Sequence, residues 1–274
     1  MSNITASDVN KLRKSTGAGI MDCKKALVEA NGDFDLAIEN LRKKGQKVAA
    51  KRADRDSSEG AVIAKVNDAN DTGIIISLNC ETDFVAKNES FVALANQIAT
   101  IALSANTKDE LLSSDFENMT VQEKLIEQTG VIGEKLEIGS FERISSAFVG
   151  SYIHAGNKIA TIVGLSNSFD GASEVAKNVS MQAAAMNPVA LDENGVSKDV
   201  IEKEIEIAKD QLRAEGKPEA MLDNIAKGKL KKFFKENTLV NQAFIKDNKL
   251  SVTDYVKSVN SECSITDFKR SALV

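Results

Sequence analysis

The chain has 274 residues, of which 42% are apolar and 27% charged, and its formal net charge is −5. The negative balance argues against a general nucleic-acid binder, because such proteins neutralise phosphates with a net basic domain. Its three cysteines form no C-x-x-C pair, the N-terminus lacks signal-peptide blocks, and no apolar run approaches the roughly 20 residues of a membrane helix. We therefore expect a cytoplasmic protein with free thiols and no direct contact with nucleic acid or membrane.

The first 45 residues predict a small bundle of three helices. Apolar residues recur there at the spacing of one helical face, and two glycine-containing breaks interrupt the pattern. The predicted helices span residues 8–14, 21–30 and 33–44. Gly45 is predicted to follow the end of the third helix, so residues 46–59 are interpreted as a linker. The linker is locally basic, and we favour a solvated tether over an RNA contact.

From residue 60 the apolar pattern changes from the period of helices to that of strands. A hairpin, a helix, polar helical segments and a third strand are predicted in residues 60–145. A second hairpin and helix follow, which gives a weak indication of an internal duplication. A late helix and a last strand are predicted near the C-terminus, and this strand is predicted to return to the sheet of the second hairpin. We therefore predict an α+β core in two parts with antiparallel sheets, residues 60–145 and residues 146–187 with 237–274.

Residues 188–236 predict a coiled-coil helical hairpin inserted into the second part of the core. Apolar residues follow a 4-3-4 spacing in the first helix, residues 198–214. A glycine and a proline then mark a tight turn, because glycine commonly ends a helix and proline commonly begins one. A second amphipathic helix occupies residues 219–235.

Motifs for covalent chemistry are absent from the sequence. No P-loop and no G-x-S-x-G elbow occur, and Gly17-Ala18-Gly19 follows a predicted helix where a dinucleotide loop needs a strand. The only histidine, His154, cannot build a His-rich metal site. A cysteine–histidine dyad with His154 ranks below a structural or contact role. We expect no cofactor and no metal, and a binding protein rather than an enzyme.

Three segments resemble the translation elongation factor Ts family in order and spacing across almost the whole chain. They are residues 9–33 with TGAGIMDCKKAL, residues 79–88 with NCETDFVAKN, and residues 150–154 with GSYIH. The resemblance implies an N-terminal ubiquitin-associated-type three-helix domain, a two-part α+β core and an inserted coiled-coil hairpin. Two positions depart from the common pattern: Glu81 replaces a frequent glutamine, and Ile20 replaces a frequent methionine.

The resemblance also implies a nucleotide exchange factor for the GTPase elongation factor Tu, in its GDP-bound and nucleotide-free forms. In the family, a Thr-Asp-Phe-Val segment enters the GTPase and disturbs its Mg²⁺ site, so that GDP leaves and GTP can bind. The matching residues here are Thr82, Asp83, Phe84 and Val85. Further partner contacts fall by resemblance on Arg13, Ile20, Met21 and His154.

Without the resemblance, several of these residues have plainer interpretations. Phe84 is as well explained by a core aromatic as by an exposed wedge, and Asp83 by a carboxylate at a helix start. Ile20 and Met21 fit the core of the bundle, or an exposed docking patch, and His154 fits a hairpin turn. An adaptor without exchange activity is the alternative function, and a second copy of the chain is left open as a partner.

Overall fold

The computed structural model describes residues 4–273, which begin with three helices. These are α1 (Ala6–Thr16), α2 (Ile20–Glu29) and α3 (Phe34–Arg52). A capping box starts α1, since Thr5 Oγ1 accepts from the Asp8 N–H and the Asp8 carboxylate accepts from the Thr5 N–H. Apolar side chains that include Leu12, Cys23 and Leu27 share a small buried core. The prediction of three N-terminal helices is confirmed.

A first antiparallel sheet with its covering helices follows. The elements are β1 (Glu59–Val66), β2 (Thr72–Cys80), α4 (Asp83–Ala86), α5 (Glu89–Ala102), α6 (Lys108–Ser113), β3 (Asp115–Phe116), β4 (Met119–Thr120), α7 (Val121–Ile132) and β5 (Glu137–Ser145). The sheet order is β1-β2-β5, and Glu59 at the start of β1 pairs with Cys80 at the end of β2. Phe91 and Ile98 of α5 pack with Ile76 in one buried cluster. The predicted hairpin, the helix after it and the third strand are confirmed.

A second antiparallel sheet is built from the C-terminal half of the chain. The elements are β6 (Phe148–Ile153), β7 (Ile159–Leu165), α8 (Ala172–Met186), a 3₁₀ turn (Glu193–Gly195), α9 (Lys198–Ala214), α10 (Glu219–Asn237), β8 (Ala243–Phe244), β9 (Asp247–Ser251), α11 (Val252–Val259) and β10 (Ile265–Ala272). The order β10-β7-β6 confirms that the last strand returns to this sheet. Val62 and Ile75 of the first sheet share an apolar cluster with Val149 and Ile162 of the second.

Helices α9 and α10 form an antiparallel pair joined by a short turn. Ala208 and Leu212 of α9 are buried, as are Leu222 and Ala226 of α10, because the apolar stripes of the two helices face each other. Gly216 adopts a left-handed φ of 75° in the connecting turn, a conformation that favours glycine. Both predicted helices are present, and the α+β fold class is confirmed.

The prediction that the third helix stops before Gly45 is wrong. Helix α3 continues to Arg52, so the first half of the segment interpreted as a linker is helical. Gly45 is buried where α3 crosses α7, and a Cβ added to Gly130 of α7 would lie 2.4 Å from the Gly45 Cα. The two glycines allow two helix backbones to approach closely. Gly45 therefore marks a crossing rather than a helix end.

None of the helices described within residues 4–273 is long and apolar enough to cross a membrane.

The proposed division into domains stays a prediction.

Candidate functional site

Phe84 lies on a short helical turn directly after the strand β2. Thr82 begins the turn, because its side chain accepts a hydrogen bond from the Val85 N–H at 3.4 Å. Ala86 is buried and Val85 packs against the first core, whereas the Phe84 side chain is 84% exposed. Phe84 is the most exposed large apolar side chain among the described residues. The interpretation of Phe84 as a core aromatic is therefore wrong.

The carboxylate of Glu134 fixes the backbone that leads into this turn. Glu134 Oε2 accepts hydrogen bonds from the backbone N–H groups of Glu81 at 3.1 Å and Thr82 at 3.0 Å. Glu134 Oε1 accepts from the Thr82 hydroxyl at 2.6 Å. Hydrogen bonds to an ionised acceptor are stronger than neutral ones, so three on one carboxylate restrain the entry to the turn.

Glu81 makes a second, reciprocal connection. Its carboxylate accepts from Arg52 Nη1 at 2.7 and 2.8 Å and from the Lys135 N–H at 2.7 Å. Burial acts to raise the pKa of Glu81, but the Lys135 and Arg52 hydrogen bonds outweigh it and hold the pKa below its ordinary value. Glu81 is therefore ionised at neutral pH and links β2 to the end of α3.

Asp83 stands beside Phe84 and pairs with Lys87. The Lys87 ammonium donates to Asp83 Oδ2 at 2.6 Å, and both side chains are largely exposed. This hydrogen bond is the main cause of the lowered pKa of Asp83 and of the raised pKa of Lys87. At neutral pH the turn therefore presents an apolar ring next to an ion pair.

Cys80 lies under the turn and is unsuited to nucleophilic chemistry. Its side chain is fully buried, and its thiol donates to the Thr82 carbonyl oxygen at 3.2 Å. Burial first, and the nearby Glu134 carboxylate second, raise the pKa of Cys80 to about 12. A thiolate is the reactive form of cysteine, so Cys80 is inert at neutral pH.

The predicted contact residues of the N-terminal helices are exposed. Arg13 lies in the last turn of α1, and the Gly17 N–H donates to its carbonyl oxygen at 2.8 Å. Ile20 and Met21 begin α2 and are 52% and 73% exposed. These three residues thus flank one short loop, and the interpretation of Ile20 and Met21 as bundle core is wrong.

His154 is also exposed and stands at the turn between β6 and β7. Its Nδ1 lies 3.0 Å from the Tyr152 hydroxyl. Lys158 of the same turn forms an ion pair with Glu59, the register partner of Cys80. This pair brings the His154 hairpin to the end of the first sheet that carries the Phe84 turn, whereas Arg13, Ile20 and Met21 lie on the N-terminal bundle.

Sequence reasoning missed the two residues that anchor the turn from outside it. Arg52 falls in the segment that the sequence predicts as a linker, and no sequence motif marks Glu134. Glu134 is 52 positions from Thr82, and no local pattern marks a contact over that separation. The sequence offers one signal for Arg52, namely a glutamate at position 81 where glutamine is frequent. A carboxylate that becomes buried requires a basic partner, and Arg52 is that partner.

No group of three or more metal-ligating side chains occurs in the part of the chain that the structure describes. The fold and the site define an α+β protein that presents an aromatic side chain on a fixed turn, an arrangement typical of protein-binding surfaces.

Comparison with known proteins gives the family. A family model described as "Elongation factor TS" matches residues 81–273. The chain is 69% identical over 273 residues to elongation factor Ts of Christiangramia forsetii, and 67% identical over 273 residues to that of Flavobacterium psychrophilum, with 100% of each chain covered in both cases. Elongation factor Ts of Amoebophilus asiaticus is 52% identical over 270 residues, which cover 97% of this chain and 98% of the relative. The chain belongs to the elongation factor Ts family and acts in translation elongation.

Proposed function

We propose that this chain is a guanine nucleotide exchange factor for elongation factor Tu. It binds the GDP-bound GTPase, inserts the Phe84 turn, disturbs the Mg²⁺ site and promotes GDP release so that GTP can bind. The observation that carries the proposal is the 84% exposure of Phe84 on a turn whose backbone is fixed at its start by hydrogen bonds to Glu134. Membership of the elongation factor Ts family supports the choice of partner.

The mechanism requires differential binding and no covalent chemistry. The factor binds the nucleotide-free GTPase more tightly than the GDP-bound one, and by linkage it lowers GDP affinity by the same factor. Each tenfold loss of GDP affinity needs about 1.4 kcal/mol of differential binding. No cofactor takes part, and the Mg²⁺ concerned belongs to the partner.

The turn suits this role through its rigidity and its chemistry. The Glu134 hydrogen bonds to Glu81 and Thr82, together with the packing of Val85 on the first core, keep the backbone in place, so that Phe84 enters a pocket without prior reorganisation. Close-packed interiors switch between arrangements rather than deform smoothly, and an entering ring displaces the side chains around the ion. Asp83 enters beside the ring as an anion that is already paired with Lys87, which limits its repulsion from phosphates.

Other exposed residues supply docking contacts in the same proposal. Arg13, Ile20 and Met21 dock the N-terminal helices, a ubiquitin-associated-type unit, on the nucleotide domain of the partner. His154 contacts a different domain of the partner. The α9–α10 pair acts as a coiled-coil hairpin that contacts the partner or a second copy of the chain. Nucleic acid and membrane have no direct part.

The test is release of fluorescently labelled GDP from elongation factor Tu. The wild-type chain accelerates release, and in Phe84→Ala the accelerated rate is about 30-fold lower, the equivalent of a hot-spot residue of about 2 kcal/mol. Because Phe84 is exposed, the variant keeps the wild-type melting temperature. Val259→Ala, an exposed apolar residue on α11, serves as the control and retains exchange.

Two results would overturn the proposal. If Phe84→Ala accelerates GDP release as the wild type does, the wedge assignment is wrong. If the complex with elongation factor Tu forms equally well with and without excess GDP, the chain is an adaptor rather than an exchange factor.

A further inference from the structure

We propose that Glu134, Glu81 and Arg52 are positioning residues that hold the Phe84 turn in one orientation and join it to helix α3. We call this set of three residues the clamp. The inference rests on the proposed exchange function, and it concerns residues that do not themselves enter the partner.

The turn cannot hold its own orientation. Helix α4 has four residues, and so short a helix has no stability of its own in water. Only Val85 and Ala86 reach the first core. Without further restraints, the exposed Phe84 ring would pack against the surface of its own protein, because this lowers its contact with water. The structure instead keeps 84% of that side chain exposed.

Glu134 supplies the first restraint, because it satisfies the backbone just before the turn. Its two carboxylate oxygens accept from two successive backbone N–H groups, of Glu81 and Thr82, and from the Thr82 hydroxyl. The hydroxyl oxygen of Thr82 in turn accepts a hydrogen bond from the Val85 N–H. The orientation of α4 is thereby linked to the position of one side chain from the segment between α7 and β5.

Glu81 supplies the second restraint and makes the connection reciprocal. The Glu81 N–H bonds to the Glu134 carboxylate, while the Lys135 N–H bonds to the Glu81 carboxylate at 2.7 Å. The segment at Glu81 and the segment at Glu134–Lys135 are therefore joined by two hydrogen bonds, each from the backbone of one segment to a side chain of the other. The side chain of Glu81 is 16% exposed, so water competes little for these bonds.

Arg52 extends the clamp to the N-terminal helices. It lies in the last turn of α3 and donates to both oxygens of Glu81. The same helix crosses α7 at Gly45 and Gly130, and α7 ends at Ile132 with Gly133 as its C-cap, next to Glu134. Two routes thus connect the helical bundle to the turn, so docking of the bundle and insertion of Phe84 occur in a fixed geometry.

The first experiment measures labelled-GDP release with full-length Glu134→Ala over a range of concentrations of the factor. The maximal release rate falls about tenfold, or about 1.4 kcal/mol, while the half-saturating concentration stays at the wild-type value because docking contacts are intact. Glu134→Gln retains an amide oxygen for the two backbone N–H groups and gives an intermediate rate. Glu127→Ala removes a half-buried, ion-paired carboxylate on α7, and this control keeps the wild-type rate.

The second experiment tests the connection to α3. Arg52→Ala lowers the maximal release rate, and Arg52→Lys restores most of it, since a single nitrogen of Arg52 makes both bonds to Glu81. Lys51→Ala, an exposed neighbour on the same helix, is the control with the wild-type rate. Combining Glu134→Ala with Phe84→Ala causes no loss beyond that of Phe84→Ala, because both changes remove the same contact.

The results separate the clamp from the exchange function itself. If the wild type fails to accelerate GDP release, the proposed function is wrong. If the wild type and Phe84→Ala differ as expected but folded Glu134→Ala, Glu134→Gln and Arg52→Ala match the wild type, the clamp alone is wrong. A Glu134 effect that adds to that of Phe84→Ala also overturns it, and Glu134→Gln decides the question if Glu134→Ala does not fold.

Discussion

Replacing Gly130 by alanine tests the close crossing of α3 and α7. A Cβ at Gly130 would lie 2.4 Å from the Gly45 Cα and 3.3 Å from the Gly45 nitrogen, both backbone atoms of the other helix. Ordinary van der Waals contact begins at 3.4 Å. Backbone atoms cannot move aside as a flexible side chain can, so the two helices must separate by about 1 Å.

Two opposing effects set the size of the change. Overpacking of this kind costs about 1–3 kcal/mol, whereas replacing glycine by alanine inside a helix gains up to about 1 kcal/mol of helix propensity. With the full propensity gain subtracted, we expect Gly130→Ala to lower the free energy of unfolding by up to about 2 kcal/mol. In a chain of this size that corresponds to a fall in melting temperature of about 2–4 °C per kcal/mol.

A matched glycine elsewhere gives the control. Gly228 is inside α10, and a Cβ there would meet nothing within 4 Å, so Gly228→Ala raises stability by about 0.5–1 kcal/mol. Chemical denaturation followed by circular dichroism measures both variants. The two changes have opposite signs because only one glycine is at a crossing. If Gly130→Ala stabilised the protein as Gly228→Ala does, the argument for the close approach of α3 and α7 would be refuted.

Two further predictions follow from the titratable groups near the turn. The Lys87 hydrogen bond is the main cause of the lowered pKa of Asp83. The ion pair therefore adds stability at neutral pH, and this stability is lost as the pH falls through the lowered pKa. In Lys87→Met, an NMR titration finds the Asp83 pKa closer to its ordinary value. All three cysteines are buried, and the pKa of Cys80 is raised to about 12. A thiol reagent at pH 8 therefore reacts slowly with the native protein and rapidly with all three thiols in denaturant, and a fast-reacting thiol in the native protein would contradict this.

Elements that depend on local pattern could be predicted from the sequence. Helix α9 spans residues 198–214, the predicted range, because its apolar spacing and the glycine and proline after it are encoded within one segment. The predicted end of α3 at residue 44 is wrong for the opposite reason. A glycine that follows an apolar stripe is a frequent helix end, and the sequence of α3 does not reveal that α7 crosses there.

The site illustrates the same limit at the level of single side chains. Composition and spacing could not decide whether Phe84, Ile20 and Met21 are core or surface, since burial depends on which other elements pack against them. Their contact roles are implied only by the resemblance, and the structure shows that all three are exposed. Glu134 had neither a motif nor a local partner, so its position beside Thr82 became visible only in the folded chain.

The exposed ring also limits how much of the proposed exchange reaction one residue can explain. Transferring a phenylalanine side chain from water to a protein interior contributes about 1.5–3 kcal/mol. By the relation between free energy and affinity, this is about a 10- to 150-fold preference for the emptied GTPase. A larger effect on GDP affinity must come from additional contacts that act together with Phe84. Arg52 and Glu81 join the turn to the N-terminal helices, of which α2 carries Ile20 and Met21. The contacts proposed for these two residues and for Phe84 can therefore act on the partner as one rigid surface.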